Sequence, residues 1–178
     1  KSNSTPSPYF LSPFSCPKFC VNCVATGVYV GVEQDLGTNN AHSTGESIQT
    51  CNAENEHQMW LLHENHNLFK IESVANLGDC LGPPTVDGDI SCSGGKVGFV
   101  PCDHPASNWF FNGGQFLSSY CWSQHGSSSV MTANEGCSEL YLSAGGGSDS
   151  DPILRSQTMM LTETEFIDSI EPDESNTG

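Results

Sequence analysis

The segment "NEHQMWLL", residues 55–62, contains a Gln-x-Trp triplet formed by Gln58 and Trp60. A single tryptophan in such a segment is usually the anchor of an ordinary core, because large aromatic side chains dominate core burial. The alternative is that the triplet is one copy of a repeat. The two interpretations differ in whether the surrounding pattern recurs along the chain.

The pattern around Trp60 does recur. Each copy has a cysteine, an aromatic anchor, a strand-like segment and a second cysteine. The first two copies are Cys51, Trp60, "LFKI" (68–71) and Cys80, then Cys102, Trp109, "QFL" (115–117) and Cys121. A third pass runs from Cys121 to Cys137 and places Leu140 or Tyr141 at the Trp position. Units of roughly 35–50 residues cannot bury an apolar face alone, so three of them are expected to share one core.

The segments between these landmarks are short and strand-like, and they alternate with turn residues. Examples of the strand-like segments are "GVYVGV" (27–32), "LFKIES" (68–73), "VGFVPC" (97–102), "QFLSSYCW" (115–122) and "ELYLS" (139–143). No window of a dozen residues has a convincing helical stripe. The sequence therefore predicts an all-β fold.

The order "IQTC", "QMWLL", "LFKI", "CLG", "FVPC", "NW" resembles a ricin-type β-trefoil, and especially the cysteine-rich domain of the mannose-receptor group. The resemblance covers about residues 25–145 and implies a β-trefoil of three disulfide-braced units. It also implies that Gln58, Trp60 and Trp109 are structural core residues.

The same resemblance implies a set of disulfide bonds. It pairs Cys80 with Cys102 and Cys121 with Cys137, and it pairs Cys51 with Cys23 or Cys20. The remaining three cysteines then supply one pair and one orphan thiol, which could link to another chain. They are Cys16, Cys92 and whichever of Cys20 and Cys23 is left over.

Members of the family bind sugars, which implies a carbohydrate-binding function. They supply an Asp just after the first strand's cysteine, an aromatic ring and a nearby Asn or Gln. The Asp positions fall at Gly31, Gly82 and Ser123, so the familiar sites are expected to be degenerate. The cluster that best suits a sugar is formed by Trp122, Gln124, His125 and Asn134. The competing interpretation of Trp122 is a partly buried aromatic beside a disulfide.

The two ends of the chain differ from this central region. Residues 1–24 form a Pro/Ser-rich arm with a Cys cluster, and residues 146–178 form an acidic arm. The segment 148–178 has eight acidic residues against Arg155, yet it includes the apolar clusters "ILRSQTMML" and "EFIDSI". We therefore expect residues 1–24 and 148–178 to dock on other protein chains, or the acidic arm to dock back on this domain.

Composition limits the compartment and the partners. The formal charge of −16, from 5 basic and 21 acidic residues, disfavours nucleic acid and anionic membranes. Nine cysteines spread along the chain predict disulfides and a secreted, extracellular or lumenal location. The sequon at Asn3 agrees with that location. No apolar run reaches the roughly 20 residues of a membrane span, and a leader is expected to have been removed.

Enzyme and metal chemistry have weak support. Cys16, Cys20 and Cys23 could ligate zinc, but disulfides are favoured in an oxidising setting. His63 and His66 fall in a polar turn, and no nucleophile context is visible. We expect no enzymatic activity, no metal and no cofactor. Three functions remain: a carbohydrate-binding module, a structural or accessory subunit that docks through its arms, and a protease-inhibitor-like trefoil.

Overall fold

A computed structural model describes residues 7–28, 42–126, 128–144 and 155–164, with the backbone alone for 25–28, 42–45, 144 and 155. The Asn3 sequon, most of "GVYVGV" and most of residues 146–178 lie outside the described residues. The strands are β1 Tyr9–Pro13, β2 Phe19–Val28, β3 His42–Thr50, β4 Met59–Asn65, β5 Leu68–Ser73, β6 Asp79–Gly82, β7 Thr85–Val86, β8 Asp89–Ile90, β9 Gly95–Lys96, β10 Gly98–Pro101, β11 Trp109–Asn112, β12 Gln115–Ser118, β13 Ser129–Ala133, β14 Leu140–Ala144 and β15 Met159–Glu163. Within the described residues, the helices are α1 Ser119–His125 and three 3-10 turns, Glu56–Gln58, Pro105–Ser107 and Arg155–Gln157.

Twelve of the strands form three units of four: β1–β4, then β5, β6, β10 and β11, then β12–β15. In each unit the second and third strands pair as an antiparallel hairpin. The first and last strands of the units lie side by side in the order β15-β1-β4-β5-β11-β12. The Met159 N–H donates to the Gly114 carbonyl at 2.7 Å, which links β15 back to the start of β12. The six strands therefore close into a ring.

A 3-10 turn precedes the last strand of every unit, and a large side chain follows two residues after it. These anchors are Trp60, Trp109 and Met159, with exposed fractions of 0%, 0% and 2%. The third copy of the motif is therefore Gln157-x-Met159. The prediction that Leu140 or Tyr141 is the third anchor is wrong, because both residues lie in β14, the third strand of the third unit.

The two tryptophans make equivalent contacts in their units. The Trp60 Nε1–H donates to the Val21 carbonyl at 3.1 Å, and the Trp109 Nε1–H donates to the Leu81 carbonyl at 3.0 Å. Each indole thus ties the last strand of a unit to the second strand. Trp60 also stacks on Phe99 of the next unit, with ring centroids 6.1 Å apart. The units therefore share one core.

Gln58 is buried with 1% of its surface exposed, so all three predicted core residues lie in the interior. Its Nε2–H donates to the Thr50 carbonyl at 3.0 Å, and its Oε1 accepts the Asn52 N–H at 2.7 Å. The side chain replaces backbone partners in the bend between β3 and β4. The Gln of the triplet thus stabilises the turn that delivers Trp60 to the core.

Two disulfides occupy equivalent positions in the first two units. Cys80 bonds to Cys102, as predicted, and Cys20 bonds to Cys51. In both pairs the first cysteine lies in the second strand of its unit, one residue before the carbonyl that accepts the indole N–H. The alternative of Cys51 with Cys23 is wrong.

The predicted bond between Cys121 and Cys137 is also wrong. Cys121 bonds to Cys92, and Cys137 bonds to Cys16. The second strand of the third unit begins Ser129-Val130 and has no cysteine to repeat the pattern. Its two cysteines instead connect the third unit to the second and to the first.

Cys23 is the unpaired cysteine, and it is fully buried. Its Sγ accepts a hydrogen bond from Asn76 Nδ2 at 3.1 Å, and burial raises the pKa of the thiol. A thiol in this position is not accessible to another chain. The orphan thiol is therefore not the intermolecular link that the sequence suggested, and the bonds of Cys16 and Cys20 leave no set of three thiols for zinc.

The sequence predicts a strand for "QFLSSYCW" (115–122), but only its first half is a strand and its second half begins helix α1. Ser118 caps its start by accepting the Cys121 N–H at 3.1 Å, and Gly126, with φ of 67°, ends it in the left-handed conformation. Seven residues with one buried member are too few to show a helical stripe. The local capping residues were the available signal.

The described parts of the two predicted arms belong to the trefoil: β1 and β15 are strands of the ring, and β2, which begins at Phe19, is a strand of the first hairpin. β1 pairs with β4 on one side and with β15 on the other. Both strands lie outside the predicted 25–145 core, so the ring draws on residues before and after it. Residues 155–164 dock on this domain, which was the second of the two alternatives for the acidic arm.

Glu46 is a buried carboxyl group in β3, with 2% of its surface exposed. Its oxygens accept the Leu140 N–H at 3.0 and 3.2 Å. Burial raises its pKa to about 8, against the smaller opposing effects of the Leu140 bond and of Lys96. We therefore expect the hairpin contact between the first and third units to depend on pH.

Gly114→Ala is expected to destabilise the protein by about 2 kcal/mol. Gly114 has φ of 90°, and a Cβ there would lie 2.7 Å from Cγ2 of Thr158. Gly113 is the matched control, because its φ is 62° and its Cβ would meet no atom within 4 Å. Gly113→Ala therefore reports the backbone strain alone, at about 1 kcal/mol. Equal losses in urea unfolding would contradict close packing of the ring at this point.

Candidate functional site

A surface cavity of about 580 Å³ lies where two turns of the ring approach helix α1. It is bordered by the β4–β5 turn, the β11–β12 hairpin and the connection from α1 to β13. Its walls are formed by Glu64, Asn67, Phe69, Phe110, Phe111, Asn112, Leu117, Ser118, Trp122 and Ser128. Its volume is within the usual range of small-ligand sites, about 300–1,000 Å³.

The apolar part of the cavity consists of four aromatic residues and Leu117. Trp122 is 52% exposed and Phe110 is 38% exposed. Phe111 packs against the buried Phe116 at 4.5 Å between centroids and meets Phe69 edge-on at 6.1 Å. The wall behind the exposed rings is therefore fixed by the core.

Helix α1 determines where Trp122 points. Its neighbour Cys121 is completely buried and bonded to Cys92. Because successive helical residues point in different directions, burying Cys121 directs Trp122 outward. The indole of Trp122 therefore lines the cavity and is not part of the core.

The polar part of the cavity comes from tight turns. His66 and Asn67 have φ of 54° and 72°, which closes the β4–β5 hairpin in two residues. Gly113 and Gly114 close the β11–β12 hairpin in the same way, next to Asn112. Asn67 and Asn112 are both exposed, and each offers amide donors and acceptors at the rim. Ser128 adds a hydroxyl group.

Only Trp122 of the predicted ligand cluster lines this cavity. Gln124 and His125 are exposed on α1 but lie outside its walls. The Oδ1 atom of Asn134 accepts the N–H groups of Ser138 and Glu139, each at 2.9 Å, so this side chain stabilises the β13–β14 turn. Of the four predicted residues, the cavity therefore has only Trp122 in its walls.

Sequence reasoning missed the other members of the site, above all Glu64, Phe110 and Asn112. The available signals were "ENHN" (64–67) and "NGG" (112–114), which are typical of two-residue hairpins that present side chains at a sheet edge. The proximity of the two hairpins follows from the pairing of β5 with β11, which a single sequence does not specify.

The sugar positions implied by the family fall differently from what was expected. Gly82 lies two residues after Cys80, and the equivalent residue in the first unit is Asn22, two after Cys20. The expected position, Gly31, lies outside the described residues. A Cβ at Gly82 would be 2.8 Å from Val100 Cγ2, so the second unit has no space for a side chain there.

The first unit keeps polar groups at this place. Asn22 is 6% exposed and accepts a hydrogen bond from Asn55 Nδ2 at 3.1 Å. Together with His57 they border a smaller cavity of about 250 Å³. In the third unit Ser123, the expected position, lies on α1 and donates to the Tyr120 carbonyl at 3.4 Å. The three units are therefore unequal at the family's sugar position.

No family model and no curated protein matches this sequence. Solved structures do match. A mosquitocidal holotoxin aligns with a TM-score of 0.58 and 11% identity over 90% of this chain and 18% of its own. A lectin of Polyporus squamosus, solved with the epitope Neu5Aca2-6Galb1-4GlcNAc, aligns with a TM-score of 0.57 and 11% identity over 91% and 50%. The fold is ricin B-like. Cry35Ab1 aligns with a TM-score of 0.53 and 15% identity over 90% and 36%.

The ricin B-like β-trefoil predicted from the repeat is confirmed by these neighbours and by the three four-strand units. The chain spans from 18% to 50% of the length of the solved chains named above. At this level of identity the likeness concerns the fold.

Four disulfides indicate an oxidising, non-cytosolic compartment. Within the described residues, no helix has the length and apolarity needed to cross a bilayer.

Proposed function

We propose that the protein is a secreted, non-enzymatic carbohydrate-binding module and that the aromatic cavity beside α1 is its sugar site. The observation that carries the proposal is the 52% exposure of Trp122 in a cavity with amides at its rim. A sugar ring presents an apolar face to an aromatic side chain and hydroxyl groups to amides. The cavity offers both kinds of group.

The fold supports this function by analogy, and the unequal units limit the analogy. The neighbouring lectin of Polyporus squamosus was solved with a glycan, and that ligand belongs to that protein. In this chain the family's sugar position in the second unit is Gly82, where Val100 leaves no space for a side chain. We therefore assign binding to the cavity beside α1 and regard the family's own positions as degenerate.

Two further parts of the proposal concern context. Secretion is supported by the four disulfides and by the sequon at Asn3. The closer kinship to the cysteine-rich domain of the mannose-receptor group is supported by the cysteine spacing of the first two units. Docking on other proteins through those parts of residues 1–24 and 148–178 that are not strands of the trefoil belongs to the alternative function, an accessory subunit that uses the trefoil as a scaffold.

Trp122→Ala is expected to lower glycan affinity by about tenfold or more, while the free energy of unfolding changes by less than about 1 kcal/mol. The side chain is half-exposed, so its loss removes a contact surface and little core packing. Leu77→Ala is the control, because Leu77 is 71% exposed and does not line the cavity.

A glycan array with neutral, sulfated, sialylated and amino sugars, followed by calorimetric titration of the hits, makes the measurement. If the wild-type protein binds no glycan, the carbohydrate function is wrong and the scaffold function takes its place. If it binds a glycan and Trp122→Ala binds equally well, the site lies elsewhere.

A further inference from the structure

The charge of the cavity is set by one residue. Glu64 is the only ionisable side chain among the lining residues, and it is exposed. In the β4–β5 register Glu64 stands directly opposite Phe69, so the two side chains share a face of the hairpin. The carboxylate therefore lies beside the aromatic wall.

The Glu64 carboxylate has no hydrogen bond or ion pair with any described residue. Its neighbour His63 lies 2.7 Å from Glu72, and Lys70 and Lys96 also contact other groups. Lys70 follows Phe69 in β5 and so points to the opposite face, where its Nζ donates to the Cys102 carbonyl. Lys96 lies 3.4 Å from Glu139. The charge of Glu64 is left for a ligand.

Aromatic faces and an unpaired carboxylate suit a cation. The face of a tryptophan or phenylalanine ring attracts an ammonium group, and the attraction grows when the site is partly desolvated. Trp122 and Phe110 supply exposed rings in the same cavity as Glu64. An anionic sugar would meet the carboxylate and a chain of net charge −16 instead.

We propose that the cavity selects glycans with a free ammonium group, that is, amino sugars that are not N-acetylated, over neutral and anionic glycans. This inference rests on the proposed carbohydrate function. The ring of the sugar packs on Trp122, and its ammonium group lies between the carboxylate of Glu64 and the aromatic wall.

The test compares two ligands that differ in one group. A β-1,4-linked glucosamine trimer and its N-acetylated counterpart are titrated calorimetrically into the full chain at slightly acidic pH, where the sugar amines are protonated. The wild-type protein is expected to bind the amine form about tenfold more tightly, and high salt is expected to reduce the difference.

Three variants separate the site from general attraction to an acidic protein. Glu64→Gln is expected to remove the preference and to leave binding of the acetylated trimer unchanged. Glu54→Gln removes an exposed carboxylate outside the cavity and is expected to keep the preference. Trp122→Ala is expected to weaken both ligands.

Equal binding of the two trimers, or tighter binding of the acetylated one, would overturn the selection for amines and leave the carbohydrate function standing. A preference for the amine that Glu64→Gln and Trp122→Ala do not alter would show adventitious attraction of a polycation and would overturn it as well. If neither trimer binds and the array shows no glycan hit, the proposed function fails together with this inference.

Discussion

Met159→Ala is expected to lower the free energy of unfolding by about 3 kcal/mol. Met159 is the third anchor of the shared core, and 2% of its surface is exposed. Truncation removes buried methylene groups and leaves a cavity between strands that cannot fully collapse. Urea unfolding of the oxidised protein, followed by tryptophan fluorescence, measures the change.

Met160→Ala is the matched control, because it is the same substitution one residue along β15. Met160 is half-buried, its side chain points to the other face of the strand, and a loss of about 1 kcal/mol is expected. If the two variants lose equal stability, Met159 is not an equivalent of Trp60 and Trp109. The ring would then be a two-anchor structure closed by a loosely attached strand.

The stability of the protein is expected to fall as the pH rises from about 5 to about 7.5, and Glu46 is expected to account for about 3 kcal/mol of the fall. The Glu46 carboxyl has an ordinary pKa of 4.5 and a pKa of about 8 in the folded protein. Below pH 4.5 it is protonated in both states, and its contribution to stability is complete. Between the two values only the unfolded chain ionises, so unfolding is favoured progressively. Above about pH 8 the loss is complete.

The groups that act on Glu46 are the Leu140 N–H, Lys96 and Glu139. Glu46→Gln keeps an oxygen for the Leu140 N–H and removes the titration. The free energy of unfolding of this variant should therefore fall by about 3 kcal/mol less than that of the wild-type protein between pH 5 and pH 7.5. Glu135→Gln, an exposed residue of the β13–β14 turn, should follow the wild-type protein. Denaturant unfolding at pH 5 and pH 7.5 gives the free energy of unfolding of each variant. If this free energy changes equally with pH in the wild-type protein and in Glu46→Gln, the Glu46 carboxyl is not protonated in the folded protein.

The sequence predicted the repeat because tryptophan and cysteine are rare and their spacing is distinctive. Trp60, Trp109 and the Cys80–Cys102 bond were recoverable for that reason. The third anchor was not, because Met159 takes the place of the tryptophan that marks the other two copies. Its Gln157 was visible, but it lies in a segment whose acidic composition suggested an arm.

The disulfide predicted for the third unit was wrong for a related reason. The prediction assumed that every unit repeats the same bond, whereas Cys92 and Cys16 lie outside the repeated positions. The cavity could not be predicted because it joins hairpins of two units with a helix. The local sequence predicts the β4–β5 and β11–β12 turns separately, but the closure of the ring determines that they lie close together.

The antiparallel pairing of β1 with β15 determines how the module responds to tension. Tyr9 faces Glu163 and Pro13 faces Met159, so the outer ends of both strands leave the ring at the same place. A force applied to both ends would break the hydrogen bonds between β1 and β15 one after another, beginning at Tyr9, and not all at once. The ring would therefore open at low force when it is held by both ends. The bond between Cys16 and Cys137 lies just beyond Pro13, and it would limit the length of chain that could extend after β1 detaches.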